Sequence, residues 1–155
     1  MRRKTTASTN RDGSAATGRL QIGVDVVSVR EVGHSLDRFG ERYVQRVFTE
    51  REAAYCRAGR GRAAVERFAV RFAAKEATLK ALQPEAPWTN NWRAIEVRRH
   101  PSGRCDIVLH GDAAALAERQ GIAALALSMS HNAGHAAAVV VAQACERTRP
   151  RRRES

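Results

Sequence analysis

Arg71-Phe72-Ala73-Ala74-Lys75-Glu76-Ala77-Thr78-Leu79-Lys80 reads as part of an amphipathic helix, yet it carries charges where packing residues are expected. At about 100° per residue, Val65, Phe68, Phe72 and Leu79 gather within roughly 60° of arc, an apolar stripe for a core. Lys75 falls inside the near edge of that stripe, Glu76 just beyond its far edge, and Lys80 one step further. An unpaired charge on such a border is costly, so these side chains need compensation, and a ligand or metal is one candidate. The helical pattern runs from about Ala63 to Leu82 and is stopped by Pro84 and Pro87.

Upstream, Leu20–Val27 alternates as a strand, with Ile22, Val24 and Val26 on one face and Gly23, Asp25 and Val27 on the other. Two helical pieces, Val29–Phe39 and Glu41–Phe48, flank Gly40. Thr49 followed by Glu52 has the pattern of a capping box for a helix through Arg57. Downstream, Trp92–Arg99 and Arg104–His110 read as strands around a Pro101-Ser102-Gly103 turn. Asp112 is placed to cap a short helix to Gln120, with Gly121 closing it. Ile122–Ser130 and Ala136–Ala144 are apolar runs that read as a second hairpin around His131–His135. Helices early and strands late make this an α+β chain, with an antiparallel sheet packed against helices.

The length of 155 residues suits one domain. The net charge of +11 is concentrated at the ends: residues 1–20 hold five bases against one acid, and residues 147–155 five arginines against one acid. Segment 21–146 is left with only +3. We therefore expect disordered basic tails at 1–19 and 146–155 around a domain at 20–145. Basic tails alone give salt-sensitive, non-specific binding, so no specific nucleic-acid partner is expected; a basic nucleic-acid-binding module is the rival reading from another class. Cys56, Cys105 and Cys145 lie far apart without metal-ligand spacing, which argues against zinc and against a disulfide framework. No secretory signal or membrane-length apolar run is evident, so a cytoplasmic protein without a membrane partner is expected.

Asp25 interrupts an apolar strand; read alone, it fits an exposed face or a functional carboxylate equally. Glu76 alone fits an ordinary helix acid paired with Lys80 at i, i+4. Together they could supply two oxygen ligands to Mg²⁺, which commonly takes one or two carboxylates plus water and substrate phosphates. Arg71, Lys75 and Lys80 would then neutralise phosphate oxygens. No GxxxxGK[ST] loop is present, which excludes a P-loop nucleotide site.

Ile22–Val29 (IGVDVVSV), Phe48–Cys56 (FTEREAAYC) and Arg71–Leu82 (RFAAKEATLKAL), in that order, resemble the holo-acyl-carrier-protein synthases, the small phosphopantetheinyl transferases. Trp92–Val97, Ser102–Gly111 and Leu127–His131 continue the resemblance, which covers roughly residues 20–143. It implies the single-domain phosphopantetheinyl transferase fold and transfer of 4′-phosphopantetheine from coenzyme A to a serine of apo acyl carrier protein, giving adenosine 3′,5′-bisphosphate. A fatty-acid-synthesis carrier is the expected client; polyketide or peptide-synthase carrier domains are the alternative.

By the same resemblance, Asp25 and Glu76 hold Mg²⁺, and Asp25, Glu76 and Lys80 form the catalytic set. Lys80, Arg71, Lys75, Ser130 and His131 are the expected coenzyme A contacts. Ser128 and Ser130 should face away from His131 if the strand runs straight to its turn. Arg30, Arg38, Arg42 and Arg46 are expected to dock the acidic carrier, the last three forming one stripe if the helix continues through Gly40. A homotrimer with sites between protomers is also implied. The chain departs from the family after Lys80, where Ala81-Leu82-Gln83-Pro84 replaces the usual glycine-containing loop, and at Ala94 and Cys105, where many relatives have Asp and Pro.

Overall fold

The alternating segment that carries Asp25 forms β1 (Arg19–Ser28), and the chain turns directly from it into α1 (Val29–Phe39). This is a computed structural model, and it describes residues 18–85, 91–132 and 134–145. Ser28 caps α1, its hydroxyl accepting from the Glu31 amide at 3.3 Å. Gly40, at φ +53°, ends α1 and precedes α2 (Glu41–Val47). The helix therefore does not pass through Gly40, and the expected single stripe of Arg38, Arg42 and Arg46 is broken there.

Thr49 and Glu52 form the capping box that starts α3 (Glu50–Arg57). The long α4 (Arg62–Leu82) follows and closes at Gln83, which adopts a left-handed φ of +44°. A 3-10 turn at Trp92–Ala94 takes the place of the first residues expected in a strand, and β2 (Ile95–Arg99) begins only after it. The strand β3 (Cys105–Leu109) pairs antiparallel with β2, as the Pro-Ser-Gly turn predicts. Asp112 lies in the first turn of α5 (Gly111–Arg119) and does not cap it; His110 occupies the cap position without a side-chain hydrogen bond. Gly121, at φ +70°, follows the helix as expected. The last two strands are β4 (Ile122–His131) and β5 (His135–Ala144).

The main sheet is antiparallel in the order β1-β5-β4, with β2-β3 a separate ribbon, so the single domain is α+β as expected. The helix α4 lies on the inner face of the sheet. Ala73, Ala74, Ala77 and Ala81 meet Ala138, Val140 and Ala142 of β5 in one apolar cluster. Small residues on both sides let the backbones approach closely. The approach is tightest at Gly23, where an added Cβ would lie 1.8 Å from the Ala77 carbonyl oxygen and 2.6 Å from the Ala81 nitrogen. A second cluster joins the N-terminal half of α4 to the early helices, with the Phe48 and Phe68 rings 4.9 Å apart.

The opposite face of the sheet is apolar and uncovered in a single chain: Leu20, Ile22, Val24 and Val26 are 51–60% exposed, and Val139 of β5 is exposed beside them. The expected tails lie outside the described residues, except for Gly18 and Arg19 at the end of the expected N-terminal tail, of which Arg19 opens β1.

Candidate active site

Strand alternation puts Asp25 on the inner face of β1, opposite Ala138 of β5, and α4 crosses above it. Glu76 and Lys80 are one helical turn apart, each immediately before an alanine (Ala77, Ala81) that touches Gly23. Lys80 Nζ donates to Asp25 Oδ1 at 2.8 Å and to the Val24 carbonyl at 3.1 Å. The Asp25 side chain is only 13% exposed, and its second oxygen, Oδ2, is buried with no hydrogen-bond partner.

A buried carboxylate oxygen left unpaired is expensive, and a second carboxylate stands nearby. Burial raises the Glu76 pKa first, the Asp25 charge raises it further, and Lys80 opposes both. The hydrogen bond and charge of Asp25 raise the Lys80 pKa, which keeps it cationic. An orphan oxygen beside another acid is a donor set suited to a hard divalent cation. Among the described residues no cluster of three or more His, Cys, Asp or Glu could hold a metal. Two carboxylates would therefore leave most positions of such an ion to water and to substrate oxygens.

A second polar feature lies toward the other edge of the sheet. A cavity of about 430 Å³ is lined by Tyr55, Glu66, Arg67, Arg71, Arg99 and His131, among others. Three guanidiniums crowd one ring: Arg71, Arg67 and Arg99 stand 4.2, 4.7 and 5.6 Å from the Tyr55 centroid. Arg71 is 2% exposed; its Nη1 donates to the Arg67 carbonyl at 3.3 Å, while its Nε has no partner. His131 Nδ1 lies 3.7 Å from Glu66 Oε2. Like charges gathered this closely suit an anion. Of these residues, Arg67 stands one turn before Arg71, a pairing visible in the sequence, whereas Arg99 reaches the cavity only because the β2-β3 ribbon folds over it.

The expected site residues therefore divide. Asp25, Glu76 and Lys80 come together; Arg71 and His131 line the separate cavity. His131 is level with Ala136 and Val27, across two strand spacings or about 10 Å from β1. Ser130 is exposed on the outer face, opposite to His131, so a single chain does not bring the two together.

Lys75 requires a correction as a coenzyme A contact. Its ammonium is fully buried, 2.8 Å from Glu52 Oε2 and 3.1 Å from the Trp92 carbonyl, and it also donates to the Ile95 carbonyl. All three of its donors are taken, so none remains for phosphate. Burial lowers its pKa, and Glu52 opposes that shift. Arg30, Arg38, Arg42 and Arg46 are all exposed, on α1 and α2. Among the described residues no helix is long and apolar enough to cross a membrane.

Two carboxylates flanked by a lysine, and a separate cavity crowded with arginines, are groups suited to a divalent cation and to an anion. Residues 21–140 match the 4′-phosphopantetheinyl transferase superfamily. The chain is 42% identical over 122 residues to a holo-[acyl-carrier-protein] synthase of Koribacter versatilis, covering 79% of this chain and 96% of that protein. It is 44% identical over 129 residues to one of Paramagnetospirillum magneticum, covering 81% and 96%. Among solved structures, a Chronobacterium ammoniagenes synthase in complex with coenzyme A superposes with a TM-score of 0.73 at 33% identity, covering 83% of this chain and 99% of that one. The chain belongs to the 4′-phosphopantetheinyl transferase superfamily and, within it, to the holo-[acyl-carrier-protein] synthases.

Proposed function

We propose that this protein moves 4′-phosphopantetheine from coenzyme A to a serine hydroxyl of an apo acyl carrier protein, with Mg²⁺ held by Asp25 and Glu76. The observation that carries this reading is the buried, unpartnered Oδ2 of Asp25 beside the second carboxylate, Glu76. The serine oxygen bonds to the phosphorus that bears pantetheine and gives its proton to water, the pyrophosphate P–O bond breaks, and adenosine 3′,5′-bisphosphate leaves with the bond's electron pair. Mg²⁺, when bound, supplies charge neutralisation at the pyrophosphate.

Lys80 is cationic and its side chain is 54% exposed, so it can turn from Asp25 toward a phosphate oxygen without leaving the site. Arg71 and His131 are proposed to hold the nucleotide end of coenzyme A, supported by the unpartnered Arg71 Nε in their cavity. The separation of this cavity from Asp25 in one chain, and the uncovered apolar sheet face, support a homotrimer whose neighbours complete each site. Exposed Arg30, Arg38, Arg42 and Arg46 would steer an acidic carrier to α1 and α2, speeding encounter and setting partner choice. A fatty-acid-synthesis carrier is the proposed client.

Intact-mass measurement on purified apo carrier proteins, incubated with coenzyme A with and without Mg²⁺, tests the reading and ranks fatty-acid, polyketide and peptide-synthase clients. A gain of one phosphopantetheinyl group, dependent on Mg²⁺ and lost in Asp25→Ala, is expected. No gain on any carrier would overturn it.

A further inference from the structure

Glu76 stands in α4 between two residues with fixed surroundings. Ala77, which follows it, presses its backbone against Gly23 of β1. Lys75, which precedes it, is tied to Glu52 of α3 and to the carbonyls of Trp92 and Ile95. Glu52 is occupied on both oxygens: Oε2 also accepts the Thr49 amide at 2.9 Å, and Oε1 accepts the Val97 amide at 2.9 Å. One buried pair thus joins the start of α3, the middle of α4 and the start of β2.

We infer that the Glu52–Lys75 pair is a positioning device that fixes the rotation of α4 about its axis and thereby aims Glu76 at Asp25. The inference rests on the functional reading above. Toward the sheet α4 packs through alanines, whose short side chains resist a roll of the helix less than larger interlocking ones would. The Cα atoms lie about 2.3 Å from the axis, and an extended Glu carboxylate lies roughly 6 Å from it, so a 10° roll moves the carboxylate by about 1 Å. A site of this kind must be held within about 0.5 Å, and a displacement of about 1 Å can cost 10²-fold in rate. A buried ion pair is often no more stabilising than neutral residues of similar volume, so a need for orientation accounts for this one better than stability does.

The test uses full-length Glu52→Gln/Lys75→Met, which removes both charges and leaves an amide oxygen for a backbone N–H. Leu116→Ala in α5, whose side chain is buried away from Asp25 and Glu76, serves as a variant with lowered melting temperature. For the double variant we expect a folded protein by circular dichroism and at least a tenfold rise in the Mg²⁺ concentration giving half-maximal transfer. The Mg²⁺-induced melting shift without substrate should weaken in parallel, while KM for the carrier stays unchanged. Leu116→Ala should keep the wild-type Mg²⁺ midpoint.

A folded double variant with the wild-type midpoint and melting shift overturns the inference, as does an equal Mg²⁺ effect in Leu116→Ala. If the double variant does not fold, Glu52→Asp, which keeps both charges but shortens the tie by one methylene, is read by the same two Mg²⁺ measurements and the same criteria. Wild-type protein that transfers nothing would refute the functional reading and the inference with it, so the wild-type control separates the two failures.

Discussion

Replacing Gly23 by alanine tests how the central helix and the first strand build the site. The added Cβ would lie 1.8 Å from the Ala77 oxygen, 2.6 Å from the Ala81 nitrogen and 2.9 Å from the Ala77 carbonyl carbon. All three are backbone atoms, so no rotamer change relieves the clash. Close C···O contacts between backbones lie at about 3.3 Å, so α4 must retreat from β1 by about 1.5 Å. Glu76 and Lys80 immediately precede the two clashing residues and move with them, and the 2.8 Å Lys80–Asp25 contact opens beyond hydrogen-bond range. Overpacking of this kind costs about 1–3 kcal/mol, and a displacement above 1 Å at reacting groups costs about 10²-fold in rate. Gly23→Ala should therefore remain folded at 25 °C with a lower melting temperature and lose about two orders of magnitude in kcat/KM, read by intact mass of the carrier over time. Gly33→Ala in α1 is the matched control. Its Cβ would meet only Val65 Cγ1 at 3.4 Å, so removing a helical glycine should stabilise by about 0.5–1 kcal/mol. A Gly23→Ala protein with wild-type kcat and Mg²⁺ midpoint would refute the reasoning.

Glu76 has a folded pKa raised by burial and by Asp25, so its contribution to stability is present below the ordinary glutamate pKa and lost as pH rises through the raised value. Glu76→Gln should accordingly raise the melting temperature of the metal-free protein at pH 7 but not at pH 3.5, and abolish the melting shift produced by Mg²⁺. Reversing Arg38 and Arg42 to Glu should raise KM for the carrier tenfold or more and leave coenzyme A binding unchanged by calorimetry; equal loss of both would remove α1 and α2 as the docking face. Val24→Asp/Val26→Asp on the uncovered sheet face, where each buried valine is worth about 1.5–3 kcal/mol, should reduce the molar mass in light scattering from that of an assembly to that of one chain. An unchanged mass would place the contact elsewhere.

The local rules read well from the sequence where neighbours in the chain decide the outcome. The Thr49–Glu52 capping box, the Gly40 break and the Pro-Ser-Gly hairpin turn all depend on a few adjacent residues, and all are present. The pairing of Asp25 with Glu76 was one option among several until a resemblance joined their two motifs, about fifty residues apart, because no local pattern ties a strand acid to a helix acid. Other features could not be read. Ile22, Val24 and Val26 alternate like a core face yet lie outward, since alternation separates two faces without saying which is covered. Lys75 and Lys80 look alike on a helical projection, but one is sealed by Glu52 and two carbonyls while the other sits at the site edge. Their difference comes from the Trp92–Ile95 segment, which meets α4 only in three dimensions.

The same contrast explains why charges border the apolar stripe of α4 at all. The helix is enclosed by three sets of neighbours, and each imposes a different chemistry on it. Toward the sheet, alanines permit the close approach that brings Asp25 within reach. Toward α3 and β2, a long side chain that ends in an ammonium ion reaches carbonyls an apolar residue could not satisfy. Toward the Asp25 end of β1, a lysine covers one carboxylate oxygen and leaves the other free. Replacing Lys75 with leucine would fill the volume but leave Glu52 as an unpaired buried charge, and replacing Glu76 with leucine would remove the charge that burial and Asp25 disfavour. The apolar surroundings thus make both charges consequential: in water either would be an ordinary surface group, while here one is sealed in a buried ion pair and the other has its pKa raised by burial and by Asp25.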